Sequence, residues 1–178
     1  NKDFPKIVEY AKGLGLVQNI ITNGMIPGVR LDKFADTLRA FATIQISANA
    51  VGDDFDTLVG RSVYDRFVAA TQAINDLCGT VWLSCVVTPT NVTNLGDIIS
   101  LAERTGVRGI TFGILAKQGR ANADDSASYF SCLAEAQVAL RRVYEKSVPR
   151  VEIDCHFSPD LSIPLRNVGE SPRHGANE

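Results

Sequence analysis

The sequence predicts an α/β protein, a partial (β/α) barrel of parallel strands with outer helices and with its N-terminal strands missing. Three observations carry that reading. Short apolar runs stop at polar or glycine-bearing turns, and the segments between them place apolar residues at helical spacing. Only about five such strands occur, whereas a closed eight-unit barrel needs about 250 residues. The chain also opens on a helix, which leaves the sheet's first strands unaccounted for.

Taken in order, residues 2–13 carry Phe4, Ile7, Val8 and Ala11 at helical spacing, with Gly13 and Gly15 as stop signals. Leu16 to Ile21 reads as a strand ending in Thr22-Asn23-Gly24. Leu31 to Phe41 is a second helix, with Leu31, Phe34, Ala35, Leu38 and Phe41 on one face. Thr43 to Ser47 is a short strand, and the acid-rich stretch with Gly52, Asp53, Asp54 and Asp56 reads as a solvated loop. Ser62 is read as the cap of a helix running to Cys78, its hydroxyl accepting an amide of the first turn. Val81 to Val87 is a long apolar strand. A helix from Thr93 or Asn94 to Arg104 stops at Gly106, and Gly109 to Ile114 is the next strand. A long helix from about Asp124 to Glu145 has basic residues towards its end, as its dipole prefers. Val151 to Asp154 is a last strand before a Pro-containing tail. The expected organisation is a barrel part over 1–149, then a segment over 150–178 holding the last strand, the tail and the start of an auxiliary extension.

Composition narrows the function. The 178 residues hold 18 Lys plus Arg against 20 Asp plus Glu, a formal charge of −2, which argues against an electrostatic nucleic-acid binder. At 45% apolar and 21% charged residues the chain has a globular composition, and no apolar run is long enough for a membrane-spanning helix. Cys78, Cys85, Cys132 and Cys155 form no CxxC, and Cys78, Cys85 and Cys132 read as buried small side chains of a reducing compartment, here the cytoplasm. His156 reads as a surface residue, with a ligand or acid–base role as the alternative, while His174 lies in a solvated polar tail.

In parallel α/β sheets ligands gather at the C-terminal ends of strands. That rule selects Thr22-Asn23-Gly24, Ser47 with Asn49, Thr88 to Asn91, and Leu115 to Arg120. Such residues hydrogen-bond a ribose or an amino-acid head group, and glycine lets a ligand approach the backbone. There is no glycine-rich phosphate loop, no GxSxG and no HExxH.

Four phrases then form an ordered series. Ile21-Thr22-Asn23-Gly24, Ile44-Gln45-Ile46-Ser47, Val86 to Asn91, and Gly109 to Phe112 closing on Gly119-Arg120-Ala121 resemble the radical S-adenosylmethionine (SAM) enzymes. The likeness is to the branch with a SPASM or twitch extension that often modifies peptides, and it covers roughly residues 1–146. It implies an enzyme in which a [4Fe–4S] cluster cleaves SAM to a 5′-deoxyadenosyl radical that takes a hydrogen atom from the substrate. Carried over by phrase, Ser47 contacts the polar part of SAM, Leu115 packs near the adenine, and Thr22 and Asn23 line the cofactor or substrate mouth. The implied partners are a peptide or small-molecule substrate and a reductant such as flavodoxin or ferredoxin, without nucleic acid or membrane.

The CxxxCxxC loop and the GGEP-like phrase of that family are absent, and the resemblance puts both upstream of the first helix. Ala48-Asn49-Ala50 replaces the acidic–glycine phrase that usually follows the serine. Cys155 falls where an auxiliary-cluster cysteine of the extension would begin. Two other readings stay open: a non-catalytic binding module of the same fold, and an unrelated aldolase-like α/β barrel. Lys117, in a loop, is the nearest residue to the strand-end lysine an aldolase-like site would need.

Overall fold

Apolar side chains at every second position of five short segments make five strands, and all of them run parallel. The computed structural model describes residues 3–25, 31–114 and 126–157. In chain order the elements are α1 (Phe4–Gly13), β1 (Asn19–Thr22), a 3-10 turn (Leu31–Phe34) leading into α2 (Ala35–Arg39), β2 (Thr43–Ser47), α3 (Gly52–Val59) and α4 (Tyr64–Cys78). Then come β3 (Val81–Val87), a 3-10 turn (Val92–Asn94) leading into α5 (Leu95–Thr105), β4 (Gly109–Ile114), α6 (Ser126–Lys146) and β5 (Glu152–Cys155).

The strands lie side by side in the order of the sequence, β1-β2-β3-β4-β5. Each helical crossover therefore carries the chain one strand further in the same direction, as right-handed βαβ units do. β5 pairs with β4 from Gly109–Glu152 to Phe112–Cys155 and so continues the sheet.

One sheet face forms the core. In register across the strands stand Ile46, Leu83, Ile110 and Ile153, with Ile44 beside Val81 and Cys85-Phe112-Cys155 one step on. All are buried, together with Phe67 and Ile74 of α4 and Leu95, Ile98, Leu101 and Ala102 of α5. Burying one such Leu, Ile or Phe contributes about 1.5–3 kcal/mol, so this layer dominates the fold's stability. At the β1 end, Phe4 of α1 stacks on Phe41 with ring centroids 6.1 Å apart.

The structure departs from the sequence reading in two places. The acid-rich stretch is not a loop: Gly52–Val59 is helix α3, with Phe55 buried between Tyr64 and Phe67. Nor does Ser62 cap α4. The cap is the Asp56 carboxylate of α3, whose Oδ1 accepts the amides of Val63 at 2.7 Å and Tyr64 at 2.8 Å, while Ser62 Oγ donates to Oδ2 at 3.2 Å. An Ncap search looks at the residue next to the helix. Here the acceptor comes from an acid on another helix.

The same bonds make a pH prediction. The Val63 amide, ahead of the opposing effect of desolvation and helped by Tyr64 and Ser62, holds the Asp56 carboxyl below its ordinary 3.8. A carboxyl whose folded pKa is depressed stabilises fully above the unfolded value, and that stabilisation is lost as pH falls through the folded pKa. Asp56→Ala is expected to lower the urea midpoint at neutral pH, with wild type and variant converging as pH drops below 3.8. A gap that stays constant through that range would rule out the carboxylate cap.

Candidate functional site

Parallel sheets covered on both faces are near-continuously apolar. This one is apolar on one face only. The opposite face carries Ile21, Gln45, Trp82, Gly109 and Glu152 in one register row, and Ser47, Ser84, Thr111 and Asp154 in the next towards the C-terminal ends. The side chains alternate accordingly: β3 is buried at Val81, Leu83, Cys85 and Val87, and half-buried at Trp82, Ser84 and Val86. None of the Ser47, Ser84 and Thr111 hydroxyls has a hydrogen-bond partner among the described residues. Each is left free to bond something that is not this sheet.

Beyond the row, the C-terminal rim is locked by two asparagines. Asn91 is 5% exposed. Its Nδ2 donates to the carbonyls of Val86 at 2.9 Å and Asn49 at 3.0 Å, and its Oδ1 accepts the Thr88 amide at 2.8 Å. The Asn49 side chain accepts the Val86 amide at 2.9 Å. The loops after β2 and β3 are thereby tied to each other next to Ser47.

The candidate residues divide. Ser47 is half-buried at the end of β2, on the polar face and in register with Ser84. Thr22 stands on the other side of the sheet: it is in register with Ile46 and lines an apolar cleft of about 180 Å³ with Phe4, Ile20, Phe34 and Leu38. Its Oγ1 accepts the Gly24 amide at 3.3 Å. Asn23 is exposed beyond β1, its Oδ1 accepting the Met25 amide at 3.0 Å. Gly24 closes that turn with φ at 68°, where an added Cβ would lie 2.8 Å from Ile46 Cγ2. Leu115 and the Gly119-Arg120-Ala121 phrase lie outside the described residues, as does His174.

The cysteines are dispersed over α4, β3, α6 and β5, and none is in a disulfide. Burial pushes the Cys85 thiol up to about 12, so it is neither thiolate nucleophile nor ready metal ligand at neutral pH. Cys155 is 1% exposed on the apolar face beside Phe112. It lies near Tyr144 of α6, whose phenol is raised chiefly by burial and further by this thiol. Among the described residues no three His, Cys, Asp or Glu side chains are grouped to hold a metal. The described residues therefore do not by themselves fit an iron–sulfur cluster.

Sequence reasoning missed Ser84, Thr111 and Asp154 because they sit inside strands and not at their ends. A signal was present: Ser84 and Thr111 break up runs that an all-apolar parallel strand would leave continuous. His156, following β5, joins the same face. Its amide donates to the Phe112 carbonyl at 3.0 Å, and its Nε2 is 3.1 Å from Asp154 Oδ2.

The fold and site together define a class: an α/β partial barrel of parallel strands, apolar under its helices and polar on the opposite face. The chain is similar in fold to SuiB of Streptococcus suis. The superposition with SuiB bound to S-adenosylmethionine has a TM-score of 0.60 at 10% identity, covering 86% of this chain and 35% of that one. A second SuiB structure gives 0.61 at 10%, and SuiB bound to precursor peptide SuiA gives 0.60 at 11%, each covering 86% of this chain and 36% of SuiB. The chain thus spans about a third of the length of the protein it matches. No protein-family model and no curated protein matches the sequence. No described helix is long and apolar enough to cross a membrane.

Proposed function

We propose that this chain is the cofactor-facing part of a radical SAM enzyme that modifies a peptide in the cytoplasm. The observation that carries the reading is Ser47: a free hydroxyl on the polar face, at a strand end of a partial barrel, within the phrase that resembles the family's serine strand. The likeness to a SAM-bound and a peptide-bound SuiB structure supports the two ligand classes.

When bound, such a cofactor supplies homolytic chemistry, the removal of a hydrogen atom from an unreactive C–H bond. The chain's own residues do the rest. Ser47 donates to or accepts from the polar part of SAM, and Asn49 and Asn91 keep the rim from moving. Trp82 and Val86 give the polar face an apolar floor that limits water. Thr22, turned to the helices, acts on the site by holding the Gly24 turn. The resemblance assigns the cluster ligands to sequence upstream of α1 and the electrons to a flavodoxin- or ferredoxin-like reductant.

The test uses the complete gene product after anaerobic iron–sulfur reconstitution. SAM is expected to bind and to yield 5′-deoxyadenosine under reduction. Ser47→Ala is expected to weaken SAM binding by about three- to tenfold, the worth of one hydrogen bond, with iron content unchanged. Unaltered SAM affinity in the variant removes Ser47 from the site. No SAM binding at all returns the non-catalytic module or the aldolase-like reading.

A further inference from the structure

We propose that the β5 end of the polar row is a second ligand site, at which Thr111 and the Asp154–His156 pair hold the main chain of a peptide through its amide groups. The inference rests on the reading of this face as a ligand face, and adds to it where the second molecule lies.

Length is the first reason. Ser47 and Asp154 are three strand steps apart in the same row, about 14 Å at the usual spacing of neighbouring strands. One polar head group held at Ser47 does not occupy both ends. Leu115, by which the resemblance places the adenine, follows β4, so Asp154 on β5 lies one strand beyond the positions assigned to that cofactor, and its own chemistry selects what it meets.

Thr111 is the second reason. The residue is only 5% exposed, yet its hydroxyl has no hydrogen-bond partner among the described residues, and its oxygen is not sealed from solvent. A polar group so nearly buried is ordinarily paired. An unpaired one that keeps an opening is placed to bond what enters through it.

The Asp154–His156 pair supplies the third. The carboxylate only accepts, so the Nε2 facing it carries a proton and donates to Asp154 Oδ2. His156 is anchored through its own amide to the Phe112 carbonyl, which fixes where the ring starts. Thr111 both donates and accepts. Glu152 lies one row below on the same face, with its Oε1 accepting from Arg108 Nε at 3.0 Å. The site is thus rich in acceptors and carries a carboxylate, so it suits N–H donors and opposes anions. A peptide main chain offers N–H groups to Asp154, which His156 holds in place, and a carbonyl to the Thr111 hydroxyl.

The experiment uses the complete gene product labelled with 13C-methyl threonine and 15N-histidine, the Thr111 and His156 signals being assigned by their loss in Thr111→Val and His156→Gln. The probe is acetyl-triglycine amide, with sodium acetate as the anionic control. The probe is expected to shift both signals and acetate neither. Thr111→Val and Asp154→Asn are each expected to weaken probe binding about tenfold, and Thr111→Ser to restore it. Ser47→Ala is expected to leave the probe's affinity as it was. Probe titration that moves neither signal, or probe displaced by saturating SAM, overturns the second site. Loss of Ser47-dependent SAM binding with the probe response intact overturns the cofactor reading alone.

Discussion

Replacing Asn91 with alanine is expected to cost about 3 kcal/mol, a shift of roughly 1.5 M in the urea midpoint at a typical slope. The side chain is buried and bonds three backbone groups: the carbonyls of Asn49 and Val86 and the amide of Thr88. Alanine leaves all three without their partner in a place water reaches poorly, and such orphaned groups cost about 1–3 kcal/mol each before relaxation. Asn94, whose side chain meets only exposed partners, the Asp54 carboxylate at 3.3 Å and the Thr93 hydroxyl at 3.1 Å, is the matched control. Asn94→Ala is expected to stay within about 0.5 kcal/mol. Because Asn49 shares the network, Asn49→Ala and Asn91→Ala are expected to be non-additive in a double-mutant cycle. Equal midpoints for the Asn91 and Asn94 variants would show that the rim is not held this way.

The second large effect is expected at Gly109. A Cβ there would lie 2.7 Å from the Glu152 carbonyl oxygen, 2.8 Å from the Trp82 ring and 2.9 Å from Glu152 Cβ. The ring can tilt, but the carbonyl belongs to β5, so the pair of strands must separate to admit even a methyl group. Overpacking of this kind costs about 1–3 kcal/mol, and Gly109→Val is expected at or beyond the upper end. Gly113 lies on the same face of the same strand with nothing within 4 Å of its added Cβ. Gly113→Ala is expected to be neutral or stabilising by up to about 1 kcal/mol, since alanine lowers the unfolded chain's entropy. Matching thermal denaturation losses at both positions would refute the close approach of β4, β5 and Trp82.

Much of the barrel was legible in the residues. β2 and β4 fall where the apolar runs of Thr43 to Ser47 and Gly109 to Ile114 put them, as does β3 from Val81 to Val87. Those runs are short, largely apolar and end in polar turns, so the local signal for a strand is clear. β1 was less so: Leu16 and Val17 extend the apolar run, yet they are 58% and 80% exposed and the strand starts only at Asn19. An apolar run marks a strand only where a neighbour pairs with it. α3 was hidden for the opposite reason, because Asp53, Asp54 and Asp56 look like a loop until Phe55 is seen packed on Phe67.

The site divides in the same way. Position at a strand end made Ser47, Asn49 and Thr22 candidates alike, since each is visible where an apolar run stops. It did not tell Thr22 on the apolar side from Ser47 on the polar side, because the rule names an end of a strand and not a side of the sheet.

Taken alone, the order of residues determined that this chain makes parallel strands joined by helices, and which side chains alternate along each strand. Only the tertiary structure decided which of the two alternating sets faces the helices, and therefore that Thr22 joins the apolar layer while Ser47, Ser84, Thr111 and Asp154 line up on the other face. The physical reason is register. Alternation is a property of one strand, but a row across four strands exists only once hydrogen bonds fix each strand against its neighbour, and a slip of one residue would turn every one of those side chains to the opposite face.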